Sequence, residues 1–254
     1  MRKISALFVL ILLVINIVSA QDTLRIMTFN IEAGVSGKIT DIGNYIKQLN
    51  PDIVALQEID QWAYRKKRIS PVPENQMVEL ASFTDMLPVF GQTCDFGGGY
   101  YGIGLLTKYN IESYQRILLP QTDSQYEPRV LIIVGLDVHG KKITIANTHL
   151  SLVEKDRTLQ IKFIARQLRK IKGHKILCGD FNANPTEIST TKLAKYHDAL
   201  PENQNTFPSV NPRTKLDYII LDPKDNINVI SHYIDTSCDL SDHCPCYVDI
   251  ILNN

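Results

Sequence analysis

From Leu24 to Leu252 the chain alternates short apolar runs of strand character with a few amphipathic stretches, and no linker, repeat or low-complexity tract interrupts them. That alternation confines the fold to sheets packed against helices. Residues 24–29 alternate as a strand, and residues 39–49 place apolar side chains at helical spacing before Asn50-Pro51 stops them. Residues 52–57 read as a buried strand and residues 76–86 as a second helix. Beyond Leu87 strands dominate: 102–107, then 130–134 and 142–146 flanking the turn His139-Gly140-Lys141 as a hairpin. Apolar residues at 159, 163, 164, 168 and 171 predict one more helix, and strands recur at 176–179, 216–221 and 247–252. With 254 residues, 44% hydrophobic and 21% charged, the chain can bury a sizeable core, which excludes a disordered tail or a small disulfide scaffold. One mixed α/β domain over residues 21–254 is the economical reading.

Residues 1–20 read as an address. Arg2 and Lys3 precede an apolar run from Ile4 to Ile15, and Val18-Ser19-Ala20 supplies small residues ahead of Gln21. These are the parts of a cleaved secretory signal, and the run is shorter than the roughly 20 apolar residues a spanning helix needs. The expectation is export to the periplasm or beyond, with no stable membrane anchor and no obligate protein partner. The whole chain is formally neutral, with 27 basic and 27 acidic residues. Loss of Arg2 and Lys3 leaves it slightly acidic, which argues against broad, non-specific wrapping of nucleic acid but not against a local cleft for phosphate. The five cysteines, Cys94, Cys178, Cys238, Cys244 and Cys246, form no recognisable framework or zinc spacing, and a structural role is expected of them. Residues 61–75, with Arg65-Lys66-Lys67-Arg68, Pro71 and Pro73, read as a surface loop. Its basic tetrad could meet phosphates, but four adjacent charges without interleaved aromatics favour a solvated loop.

Polar chemistry is concentrated where strands end. Asn30 follows residues 27–29, Glu58 follows Leu56-Gln57, and His149 lies in Asn147-Thr148-His149-Leu150. Asp180 and Asn182 lie in Gly179-Asp180-Phe181-Asn182, Asp217 in Leu216-Asp217-Tyr218, and Asp242-His243 follow Ser241. Oxygen ligands of this kind suit Mg²⁺, Mn²⁺ or Ca²⁺ rather than zinc, and an Asp beside a His can orient the ring and raise its pKa. There is no Gly-x-Ser-x-Gly elbow, Walker-A loop or Gly-x-Gly-x-x-Gly, and Gly97-Gly98-Gly99 reads as a flexible loop leading into a strand.

In one order along the chain stand Thr28-Phe29-Asn30-Ile31, Gln57-Glu58, Tyr101 to Leu106, Glu127-Pro128-Arg129, Asn147 to Leu150, Gly179 to Ala183, Leu216 to Ile219 and Ser241-Asp242-His243. This order resembles the endonuclease/exonuclease/phosphatase superfamily, which includes pancreatic deoxyribonuclease, abasic-site endonucleases, neutral sphingomyelinases and inositol polyphosphate phosphatases. The resemblance implies an α+β fold, a four-layered αββα sandwich of two mainly antiparallel sheets flanked by helices. It also implies hydrolysis of a phosphodiester by water with a divalent cation, Mg²⁺ first. Glu58 would be the principal metal ligand, with Asn30 and Asp242 beside it. Asp180 would aim or deprotonate the water, Asn182 would hold the phosphate or Asp180, and His243, oriented by Asp217, would contact the phosphate. His149 would serve the leaving-group side, and Arg129 falls at a phosphate-binding position.

The substrate is less constrained. Abasic-site endonucleases usually carry a tyrosine where this chain has His149, and the Trp-Cys-Asp-Arg signature of inositol polyphosphate phosphatases is absent. Bacterial sphingomyelinases tend to carry an exposed apolar hairpin, for which the sequence offers no clear candidate. A secreted phosphodiesterase is expected, with nucleic acid slightly ahead of a phospholipid head group. A non-catalytic binding module on the same fold would have lost a site residue, and none is missing.

Overall fold

The computed structural model describes residues 23–70 and 72–253; the expected leader, residues 1–20, lies outside them. The elements are β1 (Thr23–Asn30), α1 (Ile39–Leu49), β2 (Ile53–Gln61), α2 (Gln76–Thr84), β3 (Leu87–Phe96), β4 (Gly99–Thr107), β5 (Asn110–Leu118) and β6 (Val130–Val138). They continue with β7 (Lys141–His149), α3 (Glu154–Leu168), β8 (His174–Asp180), α4 (Pro185–Ser189), β9 (His197–Asp198), β10 (Asp217–Leu221), β11 (Ile227–Ile234) and β12 (Cys246–Leu252). Six strands in the order β11-β12-β1-β2-β4-β3 form one sheet, and six in the order β5-β6-β7-β8-β10-β9 form the other. Only β1–β2 and β7–β8 pair in parallel; every other pairing is antiparallel.

Burial on both faces of the central strands explains their near-continuous apolar runs. In β1, Leu24 and Ile26 enter a core between the sheets with Ile53, Ile132, Ile145, Ile176, Ile219 and Val248. Met27 and Phe29 alternate to the opposite face and pack with Ile42, Ile46 and Leu80 of α1 and α2. A third core joins Leu131, Ala146 and Leu177 of the second sheet to Ile161, Ile164 and Leu168 of α3. Three stacked cores between four layers make the sandwich that the resemblance implied.

Local signals account for the helix ends. In α1, Ile39, Ile42, Gly43 and Ile46 are buried at 3–4 residue spacing, and left-handed Asn50 closes the helix. Asn75 caps α2 by accepting from the Val78 N–H at 3.2 Å. Helix α3 begins and ends earlier than apolar periodicity predicts. Its first turn is polar in sequence, yet Asp156 and Arg157 are buried because they find partners. Asp156 accepts from the Thr122 N–H and hydroxyl, both at 2.6 Å, and Arg157 forms a fork with Glu187. Strand β5 escapes periodicity because it is an exposed edge strand.

The loop after β2 is not simply solvated. Arg65 and Arg68 both donate to the fully buried Asp60, Arg65 at 2.9 and 3.1 Å and Arg68 at 2.5 Å. Arg68 is itself buried and also donates to the Ala33 carbonyl. Only Lys66 and Lys67 of the tetrad remain exposed. All five cysteines are free thiols, four of them buried.

Candidate active site

Pairing register brings the polar strand ends to one end of the sandwich. Parallel pairing sets Asn30 beside Gln57 and His149 beside Asp180, while β10 runs antiparallel to β8 and sets Asp217 opposite Asp180. In β2 the pairing with β4 skips between Leu56 and Ile59, so Gln57 and Glu58 form a bulge, and Glu58 takes a left-handed φ of 55°. A bulge re-aims a side chain that regular alternation would send elsewhere. Gln57 turns to the other sheet and donates to Asn147 at 2.8 Å. Asn147 in turn donates to the Leu56 and Gly104 carbonyls at 2.9 and 2.8 Å, stapling β7 to β2 and β4 beneath the site.

Asn30 occupies the centre. Its Nδ2 donates to Glu58 Oε1 and Asp180 Oδ2, both at 3.1 Å, and its Oδ1 accepts from the Glu32 N–H. Asp180 is almost wholly buried and lies 3.4 Å from His149 Nε2 and 3.5 Å from His243 Nε2. Asn182 holds Asp180 through its backbone N–H at 2.8 Å and spends its side-chain amide on the Leu150 carbonyl at 2.9 Å. On the far side of the ring, His243 Nδ1 meets Asp217 Oδ2 at 2.9 Å. Arg129 is buried and paired with Glu127 at 3.0 Å, with its Nε unpartnered, and its charge reaches both Glu58 and His149. All nine residues singled out in the sequence therefore converge on one end of the molecule.

Thr206, Phe207 and Ser209 support the site from outside the sequence reading, and Ser241, there only part of a motif, acts as a brace. Thr206 Oγ1 accepts from the Leu216 and Asp217 N–H groups at 3.0 and 3.2 Å, and Phe207 lies 4.8 Å, ring to ring, from His243. Ser241 Oγ donates to the Asn30 carbonyl at 2.7 Å, and Ser209 N–H donates to the Asp242 carbonyl at the same distance. Residues 201–216 have no periodic pattern that could have announced this role.

The electrostatics follow from crowding charge in a buried place. Burial lowers the pKa of the His243 ring, but Asp217 and Asp180 outweigh it and push it up to about 10. Burial, with Arg129 and His243 nearby, drives His149 well below the ordinary imidazole value, so it is neutral at pH 7. Burial raises Asp180 to about 6, against the pull of His243. Burial also raises Glu58, with Asp180 adding repulsion, and lifts Asp242 to about 6. Among the described residues no lysine or arginine pairs with Glu58, Asp180 or Asp242. Mutually repelling oxygen donors, offset within the protein by His243 and the charge of Arg129 and by no lysine, fit a hard divalent cation. The tightest group of potential ligand atoms is Asp180, Asp217 and His243, within 4.8 Å of one another, but the short Asp217–His243 bond already uses one of its faces.

The model of the Endonuclease/Exonuclease/phosphatase family matches residues 27–243, which span every one of these groups. The chain belongs to this family. Members of the endonuclease/exonuclease/phosphatase family are hydrolases of phosphoester bonds, and the chain has their fold. An endonuclease/exonuclease/phosphatase from Bacteroides vulgatus superposes with a TM-score of 0.71 at 20% identity, covering 91% of this chain and 100% of that one. The human Nocturnin catalytic domain with bound sulfate gives 0.70 at 24% identity, covering 91% and 94%. A Bacteroides thetaiotaomicron mannosyl-6-phosphatase gives 0.71 at 16%, covering 90% and 99%. These likenesses establish a shared fold. Among curated proteins no sequence matches the chain.

Proposed function

We propose that the chain is an exported, divalent-metal-dependent phosphodiesterase in which water attacks phosphorus. The observation that carries this reading is the continuous path Glu58–Asn30–Asp180–His243–Asp217, each contact 3.5 Å or shorter. Asp180, a buried carboxylate with imidazoles on two sides, is suited to accept the proton of the attacking water. His243, kept protonated by Asp217, supplies fixed positive charge and a donor to a non-bridging phosphoryl oxygen. His149, neutral and buried, is suited to donate a hydrogen bond on the leaving-group side, and Arg129 adds charge at the same mouth. Glu58, flanked by Asn30 and Asp242, would hold Mg²⁺, with Mn²⁺ or Ca²⁺ as alternatives. That ion would supply Lewis-acid neutralisation of phosphoryl charge. The leader motif of residues 1–20 supports export.

Either a nucleic acid or a phospholipid head group fits this chemistry. Commitment of Arg65 and Arg68 to Asp60 removes half of the basic tetrad that would have tracked a polynucleotide backbone. The test is Mg²⁺-dependent release from plasmid DNA, RNA and sphingomyelin vesicles by wild type and His243→Ala. Hydrolysis of at least one substrate, lost in the variant, is expected. Undiminished turnover by His243→Ala would refute the assignment.

A further inference from the structure

The first turns of α3 bury polar side chains where the rest of the helix buries apolar ones. Asp156, Arg157 and Gln160 are each at most 9% exposed, and the apolar face of Ile161, Ile164, Ala165 and Leu168 begins only after them. All three reach into loops that lead to the site. Asp156 Oδ1 accepts from the Thr122 N–H and hydroxyl, and Gln160 Nε2 donates to the Pro120 carbonyl at 3.3 Å. Both contacts grip the first limb of the loop between β5 and β6. Leu119 N–H closes the base of that loop on the Arg129 carbonyl at 2.8 Å, and Glu127 on its second limb pairs with Arg129.

The same turns hold the segment that follows His149. Gln160 Oε1 accepts from the Ser151 N–H at 3.0 Å, and Arg157 donates to the Ser151 and Leu152 carbonyls at 3.1 and 2.8 Å. Arg157 also forks onto Glu187 of α4 at 2.8 and 2.9 Å, five residues beyond Asn182. Apolar side chains of the same shape would hold α3 on the sheet as well or better, since buried polar groups carry a desolvation penalty. Asp156 Oδ2 even lacks a partner among the described residues. What hydrogen bonds add is direction. Direction is needed here because the β6–β7 ladder registers Leu131 with Thr148 and goes no further, leaving Arg129 beyond its last pair.

We propose that Asp156, Arg157 and Gln160 are positioning residues. They mount the Arg129-bearing loop and the segment after His149 on one stretch of helix, and so fix the two groups of the leaving-group side against each other. This rests on the phosphodiesterase reading for the roles of Arg129 and His149, and on the hydrogen bonds alone for the mount.

The experiment measures Mg²⁺-dependent hydrolysis of bis(p-nitrophenyl) phosphate and of diphenyl phosphate, whose leaving group is poorer. A general loss of folded protein lowers both rates equally, whereas a displaced leaving-group side slows diphenyl phosphate more. Asp156→Ala should slow diphenyl phosphate by about 10- to 100-fold and bis(p-nitrophenyl) phosphate by only about threefold. Asp156→Asn, which keeps an acceptor for Thr122, should restore most of the rate. Thr122→Val, at an exposed position that leaves the core intact, should move the ratio of the two rates in the same direction. In an Arg129→Ala background Asp156→Ala should slow turnover little further, because it acts through Arg129. Equal losses on the two diesters, or full multiplication of the Arg129→Ala and Asp156→Ala effects, overturns the proposal.

Amide exchange reads the mount without turnover. In Asp156→Ala combined with Gln160→Leu, the Leu119 and Ser151 amides should exchange about tenfold or more faster, while Ile145 and Ile176 in β7 and β8 keep their protection. Unchanged exchange at Leu119 and Ser151 overturns the mount whatever the kinetics. Faster exchange there in a protein whose wild type hydrolyses neither diester would sink the phosphodiesterase reading and leave the mount standing.

Discussion

His243 and Asp217 meet through Nδ1 and Oδ2 at 2.9 Å, with both residues buried. The contact spans two sheets, since Asp217 opens β10 and His243 lies just before β12. It fixes the ring so that Nε2 faces Asp180, and it decides the charge that ring carries.

Asp217→Asn should lower the His243 pKa from about 10 toward the ordinary 6.5. Imidazole titration by NMR would read the shift. Because the folded value is raised, the protonated ring stabilises the fold fully below about pH 6.5, and that contribution is lost as pH rises through about 10. Turnover should fall by about 10²- to 10⁴-fold in the variant. An unmoved titration would show that Asp217 does not govern the ring.

Glu58→Gln removes a half-buried carboxylate that burial and Asp180 disfavour and that no lysine or arginine among the described residues pairs with. The metal-free variant should melt a few degrees higher than wild type, each kcal/mol being worth roughly 2–4 °C in a chain of this size. Mg²⁺ should raise the wild-type melting temperature and leave that of Glu58→Gln unchanged. Chelation should abolish wild-type activity, and Mg²⁺ should restore it. Equal Mg²⁺ shifts in both proteins would remove Glu58 from the metal.

Gly179 has a φ of 148°, and a Cβ there would lie 2.0 Å from the Thr148 carbonyl oxygen. Gly179→Ala should therefore push β8 away from β7 where Thr148 pairs with Gly179 and His149 with Asp180. A stability loss of more than about 1 kcal/mol is expected, with a fall in kcat. Urea unfolding and steady-state kinetics would measure both. Retention of wild-type stability and rate would mean the strands tolerate the extra carbon.

Asp60→Ala would leave the buried Arg68 with only its longer, 3.5 Å ion pair to Glu74. Breaking a buried pair from one side costs about 3–5 kcal/mol, and urea unfolding should show a loss of that order. The Trp62 segment should loosen as well, visible as faster amide exchange over residues 62–68. A variant as stable as wild type would show that the loop carries no ionic clamp.

Periodicity made the central strands and α1 legible, because burial on one or both faces writes itself into neighbouring residues. The start of α3 and all of β5 were not legible: one begins with buried polar residues whose partners are far away in the chain, and the other is an edge that buries little. Eight of the nine candidate site residues could be named because they stand at the edges of strand-like segments, whereas Arg129 came from the family resemblance alone. Thr206 and Phe207 could not be named, because they act from an irregular segment through contacts with Asp217 and His243 that only the fold creates.

The sequence by itself determined where the central strands and α1 lie and which polar groups end those strands. These are matters of local spacing, decided within a few residues by backbone geometry and side-chain period. Only the tertiary structure decided that Arg65 and Arg68 are spent on Asp60 and that Asn30 links Glu58 to Asp180. Each depends on which distant segments the sheet register brings together, and a residue's burial or exposure is a property of those neighbours rather than of its own place in the chain.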